Sequence, residues 1–598
     1  GTLNVVQAAK KANIKKYTWI GHHTILISHQ IYIGHFMAFL FCMLLFFSCG
    51  GSNIDKPISK SKNSSEIQFK DVTEEAGLGE FKHENGAFGA KWFPESMGAG
   101  GGFIDFNNDG LEDILLVGGN NLSEKDDNIV SALVLYKNDG DGKFSNVTTD
   151  VGLGGINAYG FGVSVADYDN DDDQDFFFTT LDENMFFRNN SGYFTEVGKE
   201  IGILSEHRIS TSAIFFDADK DGFLDLYVGN YIDWSPETDV WCTFQGRKGY
   251  CTPDVYNGVP SRFYQNNKDG TFSDQSLETG FLPAPGKTLG VAELDYNKDG
   301  WPDLVVANDL ERDLLYENNR DGTFTEKGVS TGMAFDPTGK VRAGMGVDAG
   351  IVDKSGEVTI FIGNFQDEMF SVYRYTPDGF FSDYAGISQL GRESLKVLTF
   401  GLFLFDVELD GDLDLFAVNG HIQVEIESKN NGFQFRQLPQ LYLNNDNGIF
   451  NLFQGTENSV FNKPIVGRGA AFADYDKDGD LDVLITENAG PVHLWRNDLY
   501  NESSRSNNNF LRVELQGSIS NRDGIGSLIE LFVGDNKLSH RIRTGSSYLS
   551  QSEKVATFGL SDATIIDSLH IYWPSGILDT FSNLIPNKQL IIIEGETL

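Results

Sequence analysis

One nine-residue pattern recurs six times along this 598-residue chain and restricts its fold more than any other feature. The copies are DFNNDGLED (105–113), DYDNDDDQD (167–175), DADKDGFLD (217–225), DYNKDGWPD (295–303), DVELDGDLD (406–414) and DYDKDGDLD (474–482). Oxygen-bearing side chains stand at positions 1, 3, 5 and 9. They are Asp105, Asn107, Asp109 and Asp113 in the first copy, and Asp167, Asp169, Asp171 and Asp175 in the second. The third has Asp217, Asp219, Asp221 and Asp225; the fourth has Asp295, Asn297, Asp299 and Asp303. The last two have Asp406, Glu408, Asp410 and Asp414, then Asp474, Asp476, Asp478 and Asp482. Gly fills position 6 in five copies and Asp172 replaces it in the other, which marks a sharp turn. Alternating carboxylates on the inside of a tight loop, completed by a backbone carbonyl, make a shell of hard oxygens suited to Ca²⁺. Mg²⁺ is the poorer match because it demands strict octahedral geometry and keeps its waters.

The first half of each loop resembles an EF-hand, but no Glu stands at position 12 and the flanks are not helical. GVSVA before one loop and FFFTT after it read as strands. A second element follows each loop, as in LYKNDGDGKF (135), MFFRNNSGYF (185), FYQNNKDGTF (263), LYENNRDGTF (315), VYRYTPDGFF (372) and LYLNNDNGIF (441). Asn-Gly and Asp-Gly turns between aromatic-rich strands mark hairpins. A unit is therefore four strands, and such units repeated every 50–80 residues indicate a β-propeller. A degenerate unit between Arg342 and Asp383 has the loop IVDKSGEVT, in which only Asp353 keeps a ligand type. Seven blades result, six of them with cation loops. The last lacks a fourth strand, and IQFKDVTEEAGL (67–78) resembles that missing strand, so the N-terminal strand is expected to close the ring.

The formal charge of −40 argues against nucleic acid, whose phosphates would be repelled. The 24 loop positions hold 22 carboxylates, so much of this charge is placed for metal, and the expected complement is about six Ca²⁺ in a mainly structural role. No GxSxG, HExxH, P-loop or Cys/His cluster occurs, so no catalytic residue is assigned. Cys242 and Cys251 are the one cysteine pair in the folded body and read, in an exported chain, as a local disulfide.

Residues 37–49 carry an apolar core too short to span a bilayer comfortably, which fits a signal peptide. Its end, FFSC, resembles a bacterial lipobox with Cys49 as the lipidated residue, although Phe46 stands where Leu is usual; an uncleaved anchor is the alternative. The hydrophilic stretch 50–66 reads as a tether. Residues 1–36 resemble a fragment of short-chain dehydrogenase/epimerase proteins and are read as a gene-model artefact or non-native extension. The expected location is an outer-membrane or cell-surface lipoprotein that meets membrane only through its anchor.

The repeats over 67–500 resemble FG-GAP/VCBS propellers, the fold of integrin α chains. NGHIQVEI (419), CTFQGRKGYCTPDVYNG (242), SNRDGIGSLIEL (520), GSSYLSQSEKVATFGL (545) and IYWPSGILDTFSNL (571) resemble the ASPIC/UnbV, or cartilage acidic protein-like, family. That resemblance implies an extracellular calcium-binding propeller with a small C-terminal β-domain, and no known reaction. Read alone, the polar stretch 501–509 looks like a linker and 510–598 like a separately folded β-domain with its own alternating strands.

In this strand order the face opposite the cation loops carries the connections where a ligand site is expected. The connection from Tyr231 to Arg262 brings Trp234 and Trp241, which suit stacking on sugars or partner side chains. Five residues beyond loop position 9 stand Asn230, Asn308, Asn364 and Asn419, placed as four amides at the rim of a funnel; turn-capping is the alternative for each. Arg208, Lys287, Arg342 and Arg468 precede first strands and should point the same way, toward an anionic glycan or a peptide carboxylate. The expected function is a surface binding or adhesion module for glycan or protein ligands. The alternative is a polysaccharide-degrading propeller using His421 or Arg342, where His421 also reads as a turn residue.

Overall fold

Strand after strand, the hairpin signals of the sequence become real sheets. The computed structural model describes residues 67–597 apart from 121, 123–130, 204–207, 283–284, 430–431, 446 and 500–507. Cys49, the segments 1–36, 37–49 and 50–66, and most of 501–509 lie outside the described residues. Seven four-stranded antiparallel units follow one another, opening with Gly101–Ile104, Tyr159–Ala166, Arg208–Phe216, Thr288–Leu294, Gly344–Ile351, Thr399–Phe405 and Gly467–Ala473. These first strands pack side by side around a circle, blade seven against blade one included. They are enclosed on both faces, which explains their near-continuous apolar and small residues.

Six blades end in a three-residue strand that starts with a buried Phe: Phe144, Phe194, Phe272, Phe324, Phe381 and Phe450. Blade seven takes its fourth strand from Phe69–Asp71, which pairs Phe69 with Asn497 and Asp71 with Trp495. Val72 and Phe81 bury against blades one and seven, so the N-terminal segment bridges the seam.

The tail is two sheets. Asn509–Gln516 lies between Ala556–Ser561 and Lys588–Ile593, and Leu528–Val533 and Ile566–Tyr572 form the middle of a four-stranded sheet. Trp573, in the WPSG turn, is buried and donates to Asp579, a packed corner.

The tail is not tethered at a distance, as its polar linker suggests. Propeller and tail form one compact unit, and their apolar cores run together, with Leu511, Ile529 and Trp573 in the same cluster as Tyr168, Phe215 and Leu226. Residues 544–551 of the tail pass into the centre of the ring. Ser547 exchanges backbone hydrogen bonds with Val347 (2.8 and 3.1 Å), and Ser550–Gln551 adds a parallel strand to Gly101–Gly102. Tyr548 is fully buried, donates to Met97 O and packs its ring 5.0 Å from Phe400.

Glycine makes room for this plug. Five residues before the loop, the seven blades carry Gly100, Gly162, Ser212, Gly290, Gly346, Gly401 and Gly469. A Cβ on Gly100 would stand 1.7 Å from Leu549 O, and one on Gly469 2.5 Å from Ser550 Oγ, so a side chain there would expel the segment. Pairing shifts register at this point in six of the seven first strands, which turns the backbone toward the channel. Central channels are the usual ligand route of a ring; here the chain fills its own.

Candidate cation sites and the opposite face

The six loops share one internal wiring. The position-1 carboxylate accepts the N–H groups of positions 5 and 6 at 2.7–3.1 Å, as Asp105 does from Asp109 and Gly110. Position 6 takes a left-handed backbone, φ 78° at Gly110 and 76° at Asp172, so the one Asp conforms to the glycine geometry. The position-5 carboxylate accepts the position-7 N–H, at 2.9 Å for Asp299 and 3.2 Å for Asp478. The position-9 Asp accepts the position-2 N–H with one oxygen and, with the other, the N–H of an Asn ending the third strand, at 2.6–2.9 Å.

Position 3 differs. Asn107 Oδ1, Asp169 Oδ1, Asp219 Oδ1 and Asp476 Oδ1 are buried with no hydrogen-bond donor. A buried acceptor left without a donor costs about 1–3 kcal/mol, more when charged. Oxygens of Asp167, Asp169 and Asp175 lie within 4.8 Å of one another, as do those of Asp217, Asp219 and Asp221, of Asp406, Glu408 and Asp414, and of Asp474, Asp476 and Asp478. Hard oxygens converging around unpartnered ones fit a divalent cation of the Ca²⁺ type. Burial, aided by neighbouring carboxylates, pushes Asp113 and Asp303 up to about 8 and Asp167 and Asp217 to about 7. Asp175, Asp225, Asp406 and Asp482 rise well above the carboxylate range for the same reason.

The loops are not equivalent. Where position 3 is Asn, its Nδ2 donates to position 5: Asn107 to Asp109 at 2.9 Å and Asn297 to Asp299 at 3.0 Å. A cation from the following hairpin reaches the same position in three loops: Lys137 to Asp109, Lys268 to Asp221 and Arg320 to Asp299. In degenerate blade five the Arg374 guanidinium pairs with Asp353 and donates to Ser355 (3.0 Å), so a side chain of this blade supplies the positive charge.

One role escaped the sequence reading. The six Asn residues that end third strands clamp neighbouring blades together. Asn189 Nδ2 donates to Phe106 O of blade one and Gln174 O of its own loop; Asn266 and Asn318 repeat this one blade further on. Asn138 reaches Tyr475 O and so crosses the ring's seam. Blade five has Tyr375 at this register, packed 5.3 Å from Tyr296. The signal was in the sequence, because Asn accompanies every intact loop and is missing beside the broken one.

The opposite face does not present the expected ligand groups. All four rim amides are buried braces: Asn230 Nδ2 donates to Pro260 O, Asn308 to Arg312 O, Asn364 to Met369 O and Asn419 to Leu438 O. Their capping role prevails because a buried side-chain amide must be satisfied locally. The basic residues are likewise engaged. Arg342 pairs with Asp383 at 2.9 Å, Lys287 with Glu311 at 3.4 Å, and Arg208 donates to Pro260 O at 3.5 Å. Arg468 is fully buried, gives its protons to Ser96 O, Gly420 O and Gly467 O, and lies 3.9 Å over Phe400.

His421, at 1% exposure, accepts Gln423 N on Nδ1, and burial beside Arg468 lowers it to about 3. It is the turn residue, not a group open to substrate. Trp234 is buried and donates to Asp239. Trp241 alone of these candidates stands out, at 70% exposure with Lys248 Nζ 5.0 Å from its ring. The Cys242–Cys251 bond closes its loop, Cα atoms 5.2 Å apart.

Comparison with known proteins matches these features. FG-GAP-like repeats are recognised at 105–178, 167–228, 295–350 and 406–485, and an ASPIC and UnbV domain at 517–598. Human cartilage acidic protein 1 is 25% identical over 283 residues, which cover 46% of this chain and 39% of the relative. The Xenopus tropicalis protein of that name is 23% identical over 364 residues, 57% of this chain and 53% of the relative. The chain thus spans about half the length, or less, of these relatives. Among solved structures, an Agrocybe aegerita lectin recognising non-reducing terminal N-acetylglucosamine has a TM-score of 0.35 at 14% identity, covering 66% of this chain and 86% of the lectin. The exotype rhamnogalacturonan lyase YesX has a TM-score of 0.29 at 13% identity, covering 81% and 90%.

Proposed function

We propose that this chain, an FG-GAP-like propeller carrying an ASPIC/UnbV tail, is an exported calcium-binding module that displays a rigid face to glycan or surface-protein ligands. The observation that supports it most is the buried, donorless position-3 oxygens of Asp169, Asp219 and Asp476, each within 4.8 Å of two further carboxylates. Ca²⁺ at these points would be held by positions 1, 3, 5 and 9 of each intact loop. Its charge would offset carboxylates that burial otherwise forces toward the neutral form. The ions' role is structural: they set the loops that the interblade Asn clamps and the tail lean on.

For ligand contact the reading rests on the insert around Trp241. An indole on a disulfide-closed loop, flanked by an ammonium group, suits stacking on a sugar ring or an apolar partner side chain. Display at a cell surface would use lipid on Cys49; Cys49→Ser should then move the protein to the soluble fraction.

The deciding experiment incubates the purified protein with a panel of acidic polysaccharides in Ca²⁺. Retention that Trp241→Ala abolishes, without any new reducing end or unsaturated product, supports binding. Release of such products would replace this reading with an enzymatic one.

A further inference from the structure

The tail domain stands on the cation loops themselves. Arg512, buried, reaches Asp474 at 3.2 Å and Glu553 at 2.8 Å; Arg541 reaches Asp295 at 3.2 Å; Arg522 pairs with Asp172. Asp474 and Asp295 are position-1 carboxylates, so the two arginines hold from outside the groups that would face the ion, as outer-shell partners orient ligands. Backbone is read as well. Asp523 accepts Asp167 N, Ser561 N donates to Leu409 O, and Asn508 donates to Glu408 O.

The fit is close. A Cβ on Gly479 would lie 2.1 Å from the Phe510 ring, and one on Gly222 2.5 Å from Ile519 O. A fit with no room for a methyl group holds only while the loops keep one shape, and ionised carboxylates crowded together without a cation repel one another. The plug is part of the same body: residues 544–551 connect tail strand Asn536–Arg541 to tail strand Ala556–Ser561. The tail cannot lift from the loops without drawing the plug from the channel.

We infer that loaded cation loops are the docking platform of the tail domain, and that segment 544–551 stays in the ring only while the loops carry their ions. This rests on the calcium reading above. Cation release then opens a channel walled by Gly100, Gly162, Gly346 and Gly469, while blade five, neutralised by Arg374, keeps its order. By linkage the effect is reciprocal: a docked tail must tighten cation binding by the factor by which cations favour docking.

Hydrogen exchange by mass spectrometry on the full chain tests this, with bound calcium counted in parallel. In Ca²⁺ the amides of 544–551 should be protected. In EDTA they should exchange at least about tenfold faster, while the second and third strands of blade five, Val358–Asn364 and Ser371–Tyr375, stay protected. The variant Arg522→Ala/Arg541→Ala should raise the calcium concentration for half-protection of the plug by about fivefold.

Unchanged plug exchange in protein shown to have lost its calcium overturns the inference and leaves the calcium reading intact. Equal loss of protection in the plug and in blade five also overturns it, since that is unfolding of the ring. No calcium bound at the start removes both.

Discussion

Blade five and blade seven are built from the same four-stranded unit, yet they neutralise their loops by different means. In blade seven Asp474, Asp476 and Asp478 converge, and Asp476 Oδ1 is buried without a donor. In blade five one carboxylate remains at a ligand position, Asp353, and Arg374 from the third strand pairs with it. Arg374 immediately precedes the position where other blades place their clamping Asn, and Tyr375 fills that position by packing on Tyr296. The lesson is that one unit can meet its loop charge and interblade contact in two ways. Blade five supplies Arg374 and Tyr375 itself. Blade seven has Asn497 for the contact and converging carboxylates that, on the proposed reading, a cation neutralises.

The largest effect that would break this contrast is at position 9. Asp482→Ala removes the acceptor for both Tyr475 N and Asn497 N and should cost about 2–5 kcal/mol even in excess Ca²⁺. Thermal unfolding reads it; a shift no larger than that of an exposed substitution would mean the loop wiring is dispensable. A second test is EDTA treatment. An ion that binds only the folded state adds about 2.7 kcal/mol at a hundred times its Kd, so chelation should lower the melting temperature of the parent strongly. Blade five amides should be the last in the ring to lose protection.

How much of this was legible beforehand follows from what repeats. The loops, the hairpins, the broken fifth unit and the complementary N-terminal strand all announce themselves by spacing, and each stands where it was expected. The funnel amides were misread because Asn230, Asn308, Asn364 and Asn419 recur as regularly as ligands do. Spacing does not distinguish a group that faces solvent from one that braces a turn. The plug was missed because its evidence is scattered. A glycine at this point in six blades looks like irregularity until Leu549 is seen against Gly100 and Gly162, Ser547 against Gly346 and Ser550 against Gly469. The polar stretch 501–509 suggested independence, but a linker's composition says nothing about where the domain beyond it docks.

Acidity sharpens the comparison further. Asp113 and Asp303 sit at about 8, Asp167 and Asp217 at about 7 and Asp474 at about 6, all above the ordinary 3.8 of the unfolded chain. The folded, metal-free form therefore binds protons more tightly than the unfolded one. Its stability should rise as pH falls from about 8 toward 4 and be lost as pH rises through those values. Calcium-loaded protein should run the other way over the same window, because protons displace the ions. Two parallel melting curves against pH check this; curves that fall together on acidification would contradict it.

Smaller still, Asn318→Ala removes the clamp to Ala218 O and Pro302 O and should cost about 1–2 kcal/mol in the calcium-loaded protein, read by thermal unfolding. Smallest is Arg374→Gln, which leaves Asp353 without its guanidinium but still accepting from Ser355 N at 2.8 Å. About 1 kcal/mol or less is expected, with no change in the number of bound ions.

That number is the most direct test of the whole account. Native mass spectrometry or elemental analysis of the dialysed full chain should find close to six Ca²⁺, one for each intact loop and none for blade five. Three or fewer would contradict the shared-loop reading, and seven would show that Arg374 does not stand in for an ion.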